Sequence, residues 1–253
     1  MIRSDNKRAL PSLLLEKVAM KFTDLHPTLL FLLLVPALDC QIPKGYKGKP
    51  FQDAFHMSGP QVIPGRLQAV LYDLGGEGVA YHDTDKINHG SGELNYTKGH
   101  CEDGVLAYIC HFRENEGVDI SYVKKLADLN HPSLVLPEWQ QLYLGWEETG
   151  EWVNYTVDVK KAGRYRIVAM YSHVANTIQF SLNNHPAADC KLPIDPWTQF
   201  PDRHDPEWMM FHAWNRADCG EIDFPKAGLQ LLTLYDKTGN NLAWFDFVPI
   251  ELK

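Results

Sequence analysis

No run in the 253 residues stays apolar for the roughly 20 positions that a membrane-spanning helix needs. Positive charge is also in short supply, with 24 Lys and Arg against 32 Asp and Glu and a formal net charge of -8. A general nucleic-acid binder needs a cationic surface to displace counterions from phosphate, so no nucleic-acid partner is expected. The motifs of nucleotide and hydrolytic chemistry are missing as well: there is no P-loop, G-x-G-x-x-G, G-x-S-x-G or H-E-x-x-H. Helical periodicity is scarce, and its best stretch, Tyr122 to Asn130, is short. Parallel α/β folds, Rossmann and TIM-barrel enzymes included, are thereby set aside. Cysteine is sparse and odd in number, at five. In an oxidising compartment that count suggests two disulfides and one thiol with a different fate. Among 11 His, the densest His/Asp spots are His82-x-x-Asp85 and His204-Asp205. Neither has a recurrent metal-ligand spacing, and turn-forming Asp side chains account for both.

What is present begins with a leader. Leu29 to Ala37 read LLFLLLVPA behind Lys17 and Lys21, the length and setting of a secretory h-region. Residues 1–40 are therefore read as a leader with a signal-peptide-like segment, with Met20 as an alternative start. The expected location is secreted or cell-surface. Cys40 stands where a lipidated cysteine would, although Leu38-Asp39 are not the small residues expected before one. Membrane attachment is expected only if Cys40 is lipidated. Residues 41–63 are dense in Pro and Gly with little periodicity and read as a linker. Residues 64–253 remain as the folded module.

That module alternates with the period of two that puts one strand face on a core. Val153, Tyr155, Val157 and Val159 alternate with Asn154, Thr156 and Asp158. Tyr165 to Tyr171 and Ile178 to Leu182 repeat the pattern, the latter ending at the turn residues Asn183-Asn184. Leu229 to Tyr235 and Leu242 to Phe247 flank Thr238-Gly239-Asn240 and read as a hairpin. Many short strands separated by turn signals predict an all-β sandwich of antiparallel sheets with long loops.

Three blocks carry a resemblance. The first is Leu67 to Asp73 with GGEGVAYHDTD and Asn88; the second is Arg113 with Glu116 to Ile120, then LGWEETGEWVNYTVDV from Leu144 to Val159. The third is FHAWNRAD (Phe211 to Asp218), Glu221 to Leu234 and GNNLAWFDF (Gly239 to Phe247). In this order they resemble the carbohydrate-binding modules of family 6, jelly-roll β-sandwiches among the galactose-binding-like folds. The resemblance implies a glycan ligand held at the loop end of the sandwich between two aromatic rings and an amide. A flat aromatic stacks on the C–H face of a pyranose, and an Asn gives its hydroxyls both a donor and an acceptor. By the same resemblance Trp146 is the first stacking ring, Trp214 the second and Asn241 the polar anchor. Trp152 and Trp244 sit on strands and are expected in the core.

The family's structural calcium is not expected. The positions that would carry its acidic ligands are Gln68, Val70 and Ala243, whereas calcium takes about six to eight oxygens. The absence or weakness of this ion leaves no cofactor. No catalytic residue is assigned, so the expected function is non-catalytic binding, with a separate glycoside hydrolase as a further partner. Two alternatives stay open. One is a glycoside hydrolase using Glu147, Glu148 or Glu151, the acids nearest the expected cleft; the other is a protein–protein adhesion domain on the same fold. Relative to a minimal module, 99–112, 124–141 and 192–210 are extra, and such loops either reshape a sugar site or close it. Cys101 and Cys110 lie in one of these segments, and Cys190 and Cys219 flank another. Pairing within each loop is the simplest of three connectivities.

Overall fold

Alternating residues zip into strands because each buries one face while its backbone pairs sideways. The computed structural model describes residues 42–97, 101–130, 132–173, 175–200, 206–235 and 239–251. The leader, with Met20 and Cys40, and the His204-Asp205 pair lie outside the described residues. The early strands are β1 (Gln61–Ile63), β2 (Gly65–Gln68), β3 (Tyr81–His82), β4 (Ile120–Tyr122), β5 (Leu142–Leu144) and β6 (Trp152–Val159). The later ones are β7 (Gly163–His173), β8 (Thr177–Leu182), β9 (His185–Lys191), β10 (Trp214–Phe224), β11 (Gly228–Tyr235) and β12 (Asn240–Pro249). One sheet runs β1-β6-β11-β8-β9 with β3 also on β6, and the other runs β10-β7-β12-β5-β4 with β2 also on β12. Pairing is antiparallel except between β1 and β6, which run parallel with Gln61 opposite Val157. The fold is the all-β sandwich that the alternation predicts.

The inward residues of both sheets share one core, in which Phe180 of β8 meets Phe245 of β12 edge to face at 5.1 Å between centroids. Asn183 and Asn184 adopt φ of 52° and 68°, the left-handed pair that a tight β8–β9 turn requires. Cys190 of β9 is joined to Cys219 of β10, which ties an edge of one sheet to an edge of the other; Cys101 is joined to Cys110. Replacing Cys190 and Cys219 together by alanine is expected to cost about 2–4 kcal/mol, because the bridge removes loop-closure entropy from the unfolded chain. Thermal melting of the double variant measures it.

Three expectations are corrected. First, β6 does not turn its polar face to water: Asn154 and Thr156 are buried beneath the chain between Asp73 and Ala80. Asp73 accepts the Thr156 backbone N–H and hydroxyl, at 2.7 and 2.6 Å, while Asn154 donates to the Val79 carbonyl. Second, β11 and β12 are not a hairpin. β11 pairs with β6 and β8 in one sheet, and β12 pairs with β2, β5 and β7 in the other. Third, the stretch read as a linker packs on the sandwich. Phe51 and Ile63 join the core, Lys49 bridges Leu74, and Tyr46 donates its hydroxyl to Asp73 at 2.7 Å. Single anchors of this kind leave no period for a sequence pattern to show.

Candidate functional site

At one end of the sandwich β5 leaves its sheet through Gly145 and Trp146. Trp146 holds a φ of 54°, a left-handed backbone that costs a non-glycine residue about 1–3 kcal/mol. Its indole is 43% exposed. A Cβ on Gly145 would lie 2.7 Å from the Asn241 side-chain oxygen, so only glycine lets that amide approach the backbone so closely. Asn241 sits on β12 opposite Ser172, and its amide nitrogen donates to the Phe211 carbonyl at 2.6 Å. Of the three residues assigned to sugar contact, Trp146 and Asn241 are brought together on one cleft.

Trp214 is not part of that surface, which corrects the expectation. It is 0% exposed and shares a small core with Val123, Tyr143, Met170, Ala243 and Trp244. Its ring stands edge-on to Tyr143 at 5.2 Å, and its indole N–H donates to Asp128 Oδ1 at 2.7 Å. The polar neighbours that make HAWN look exposed are themselves tied down, His212 to Asp128 and Asn215 to the Tyr171 hydroxyl, and a buried carboxylate satisfies the one polar atom of the ring. The exposed indole on this side is Trp208, at 52%, carried by the short helical segment Glu207–His212.

Asp128 is the hub of the cleft's outer rim. Fully buried, it accepts Trp214 Nε1 on Oδ1, faces His212 Nδ1 at 2.8 Å, and takes the Lys124 backbone N–H on Oδ2 at 2.7 Å. It thereby fastens the helical turn Lys125–Leu129, where the sequence shows its best helical stretch, to the Glu207–His212 segment. Glu102 supports the same turn by accepting the N–H groups of Lys125 and Leu126 and the Trp139 indole N–H. The cleft holds about 780 Å³ and is walled by Trp146, Asn241, Trp208, His212, Lys124 and Leu126 among others.

Lys124 donates to the Ser121 hydroxyl at 2.8 Å and lies 4.2 Å from the Tyr122 ring centroid. Burial pushes its ammonium down to about pKa 8, against the opposing pull of Asp128 and Glu102. A lysine depressed in the fold binds its proton less tightly there than in the unfolded chain, so stability rises with pH between about 8 and 10.5. Lys124→Met is accordingly expected to be more stable than the parent below pH 8. That advantage should shrink steadily up to pH 10.5, as read from denaturant midpoints across the range.

The acids weighed for hydrolysis do not line the cleft. Glu151 accepts the Thr84 backbone N–H, the Thr84 hydroxyl and the Glu148 N–H at 3.0, 2.8 and 2.7 Å, which staples the loop after β3. Glu102 is the one carboxylate among the described lining residues, whereas glycoside hydrolysis ordinarily uses two across the bond. The residues at the expected calcium positions do not suit that ion. Val70 and Ala243 are buried alkyl side chains, and the Gln68 N–H donates to Gln61. The carbonyls of Val70, Tyr72 and Asp73 already face a cation, the guanidinium of Arg113, which donates to all three. In YHDTD, Asp83 accepts the Asp85 N–H and Asp85 accepts the Ile87 N–H, the turn-closing role read from the sequence. No group of three or more His, Cys, Asp or Glu able to hold a metal occurs among the described residues. No helix among them is long and apolar enough to cross a membrane.

No family model and no curated protein matches the sequence. Solved structures do. A family 6 carbohydrate-binding module from Clostridium stercorarium, in complex with cellobiose, is 12% identical, with 77% of this chain and 100% of that chain covered at a TM-score of 0.39. A β-1,3-glucan binding family 6 module from Bacillus halodurans is 12% identical over 75% of this chain and 98% of its own, also at 0.39. The second such module of Cellvibrio mixtus lichenase 5A, in complex with cellotriose, is 15% identical over 44% and 79% at a TM-score of 0.34.

Proposed function

We propose that the chain is a non-catalytic carbohydrate-binding protein, exported or displayed at the cell surface. The observation that carries this reading is the cleft in which two exposed indoles, Trp146 and Trp208, accompany the amide of Asn241. A pyranose stacks its C–H face on Trp146 and directs hydroxyls to Asn241, while Trp208 stands where Trp214 was expected to. The exposure of both indoles keeps the cleft accessible, which disfavours the adhesion alternative that closed loops would support. The single carboxylate among the described lining residues disfavours hydrolysis. Affinity at one such site falls in the micromolar to millimolar range, about -4 to -8 kcal/mol. Attachment to a separate glycoside hydrolase would add avidity.

A glycan array followed by calorimetry tests the reading. The solved modules named above include cellobiose and cellotriose complexes, so β-glucan oligosaccharides head the panel. Absence of binding across the array would refute it, and release of reducing sugar would favour the hydrolase. Calcium is not needed for the fold on this account. Calorimetric melting with and without EDTA should agree within about a degree, and a drop of several degrees on chelation would overturn that expectation.

A further inference from the structure

The cleft has two unlike walls. The sandwich side carries Trp146, Tyr143 and Asn241, and the loop side carries Leu126, Ala127, Trp208 and Met209 from the two segments that Asp128 fastens together. Leu126 is 73% exposed and stands on the cleft wall beside Ala127 and Met209. Much of the polar capacity around it is already committed. Both Glu102 oxygens accept backbone or indole N–H groups, one amide hydrogen of Asn241 goes to Phe211, and His212 Nδ1 faces Asp128. What remains includes the Asn241 oxygen and second amide hydrogen, His212 Nε2, two Lys124 ammonium hydrogens and the indole N–H groups of Trp146 and Trp208, enough to hold one sugar ring by its hydroxyls.

The volume, about 780 Å³, lies in the range of pockets that enclose a drug-sized ligand, about 300–1,000 Å³. A second ring laid along the loop wall would press hydroxyls against Leu126, Ala127 and Met209, which offer no side-chain hydrogen bond in exchange for lost water. An apolar chain there gains instead, since each methylene leaves water for a hydrocarbon surface.

We infer that the cleft takes a glycoside bearing an apolar substituent (an alkyl, acyl or aryl group), with the sugar at Trp146 and Asn241 and the substituent along Leu126 and Met209. This rests on the sugar-binding reading and narrows its ligand class. The test is calorimetry of the full chain with methyl and octyl β-glycosides of glucose, galactose and mannose, below micelle-forming concentrations. Octyl tetraethylene glycol ether serves as the sugar-free control. At least one octyl glycoside should bind tenfold or more tighter than its methyl partner and than the ether. In Leu126→Asn, whose exposed position leaves folding intact, that gain should disappear while methyl glycoside binding persists. Equal affinity for the octyl and methyl forms would overturn the inference and leave the sugar reading standing. Equal affinity for the ether and the octyl glycoside would overturn the sugar reading itself. No binding by any probe would overturn both.

Discussion

Trp214→Ala should destabilise the protein by about 3–5 kcal/mol, the cost of deleting a large aromatic from a packed core. Two losses combine. The indole leaves a cavity among Tyr143, Met170 and Trp244, and a buried carboxylate, Asp128, loses one of its three donors. The second loss spreads, because Asp128 also holds the Lys125–Leu129 turn and His212. Trp214→Phe separates the two contributions. It refills much of the volume without the N–H, so it should recover part of the stability and leave roughly the 1–3 kcal/mol of an unmade buried hydrogen bond. Urea midpoints at constant slope measure both variants.

Trp146→Ala should behave in the opposite way. Its ring is exposed, so stability should change by no more than about 0.5 kcal/mol. Binding, by contrast, should weaken at least tenfold, about 1.4 kcal/mol, because the stacking face is gone. Trp146→Gly sharpens the contrast. Glycine relieves the left-handed backbone at φ 54° and should gain up to about 1 kcal/mol of stability while binding sugar no better than the alanine variant. A residue that is strained, exposed and destabilising yet dominates affinity is what a binding site demands and a core position does not.

How much of this was legible follows from the range of each signal. The period of two along β6, β7 and β8 is local, so those strands and the sandwich were readable from composition and alternation alone. The β11–β12 junction was not, because nothing in Thr238-Gly239-Asn240 distinguishes a turn within one sheet from a crossing between two. The stretch before Pro64 reads as a linker because its anchors, Tyr46, Phe51 and Ile63, are isolated residues that reach distant partners. At the cleft, the blocks named Trp146 and Asn241, which the structure brings together. Assigning Trp214 to the cleft failed for a physical reason. What buries Trp214 is a core of residues distant in the chain, Val123, Tyr143 and Met170 among them, and Asp128, which satisfies its N–H, lies 86 positions earlier. Pro206 to Met210 carried one usable hint, a tryptophan beside Pro and Glu with no strand alternation around it.

The central claim is that Trp146 and Trp208, not Trp214, meet the ligand. Titrating 15N-labelled protein with its array-selected oligosaccharide, and following the indole N–H resonances of the seven tryptophans, tests it most directly. The Trp146 and Trp208 signals should move together and saturate with the calorimetric affinity, while the hydrogen-bonded Trp214 signal stays in place. A saturable shift of Trp214 with Trp146 and Trp208 unmoved would contradict the account.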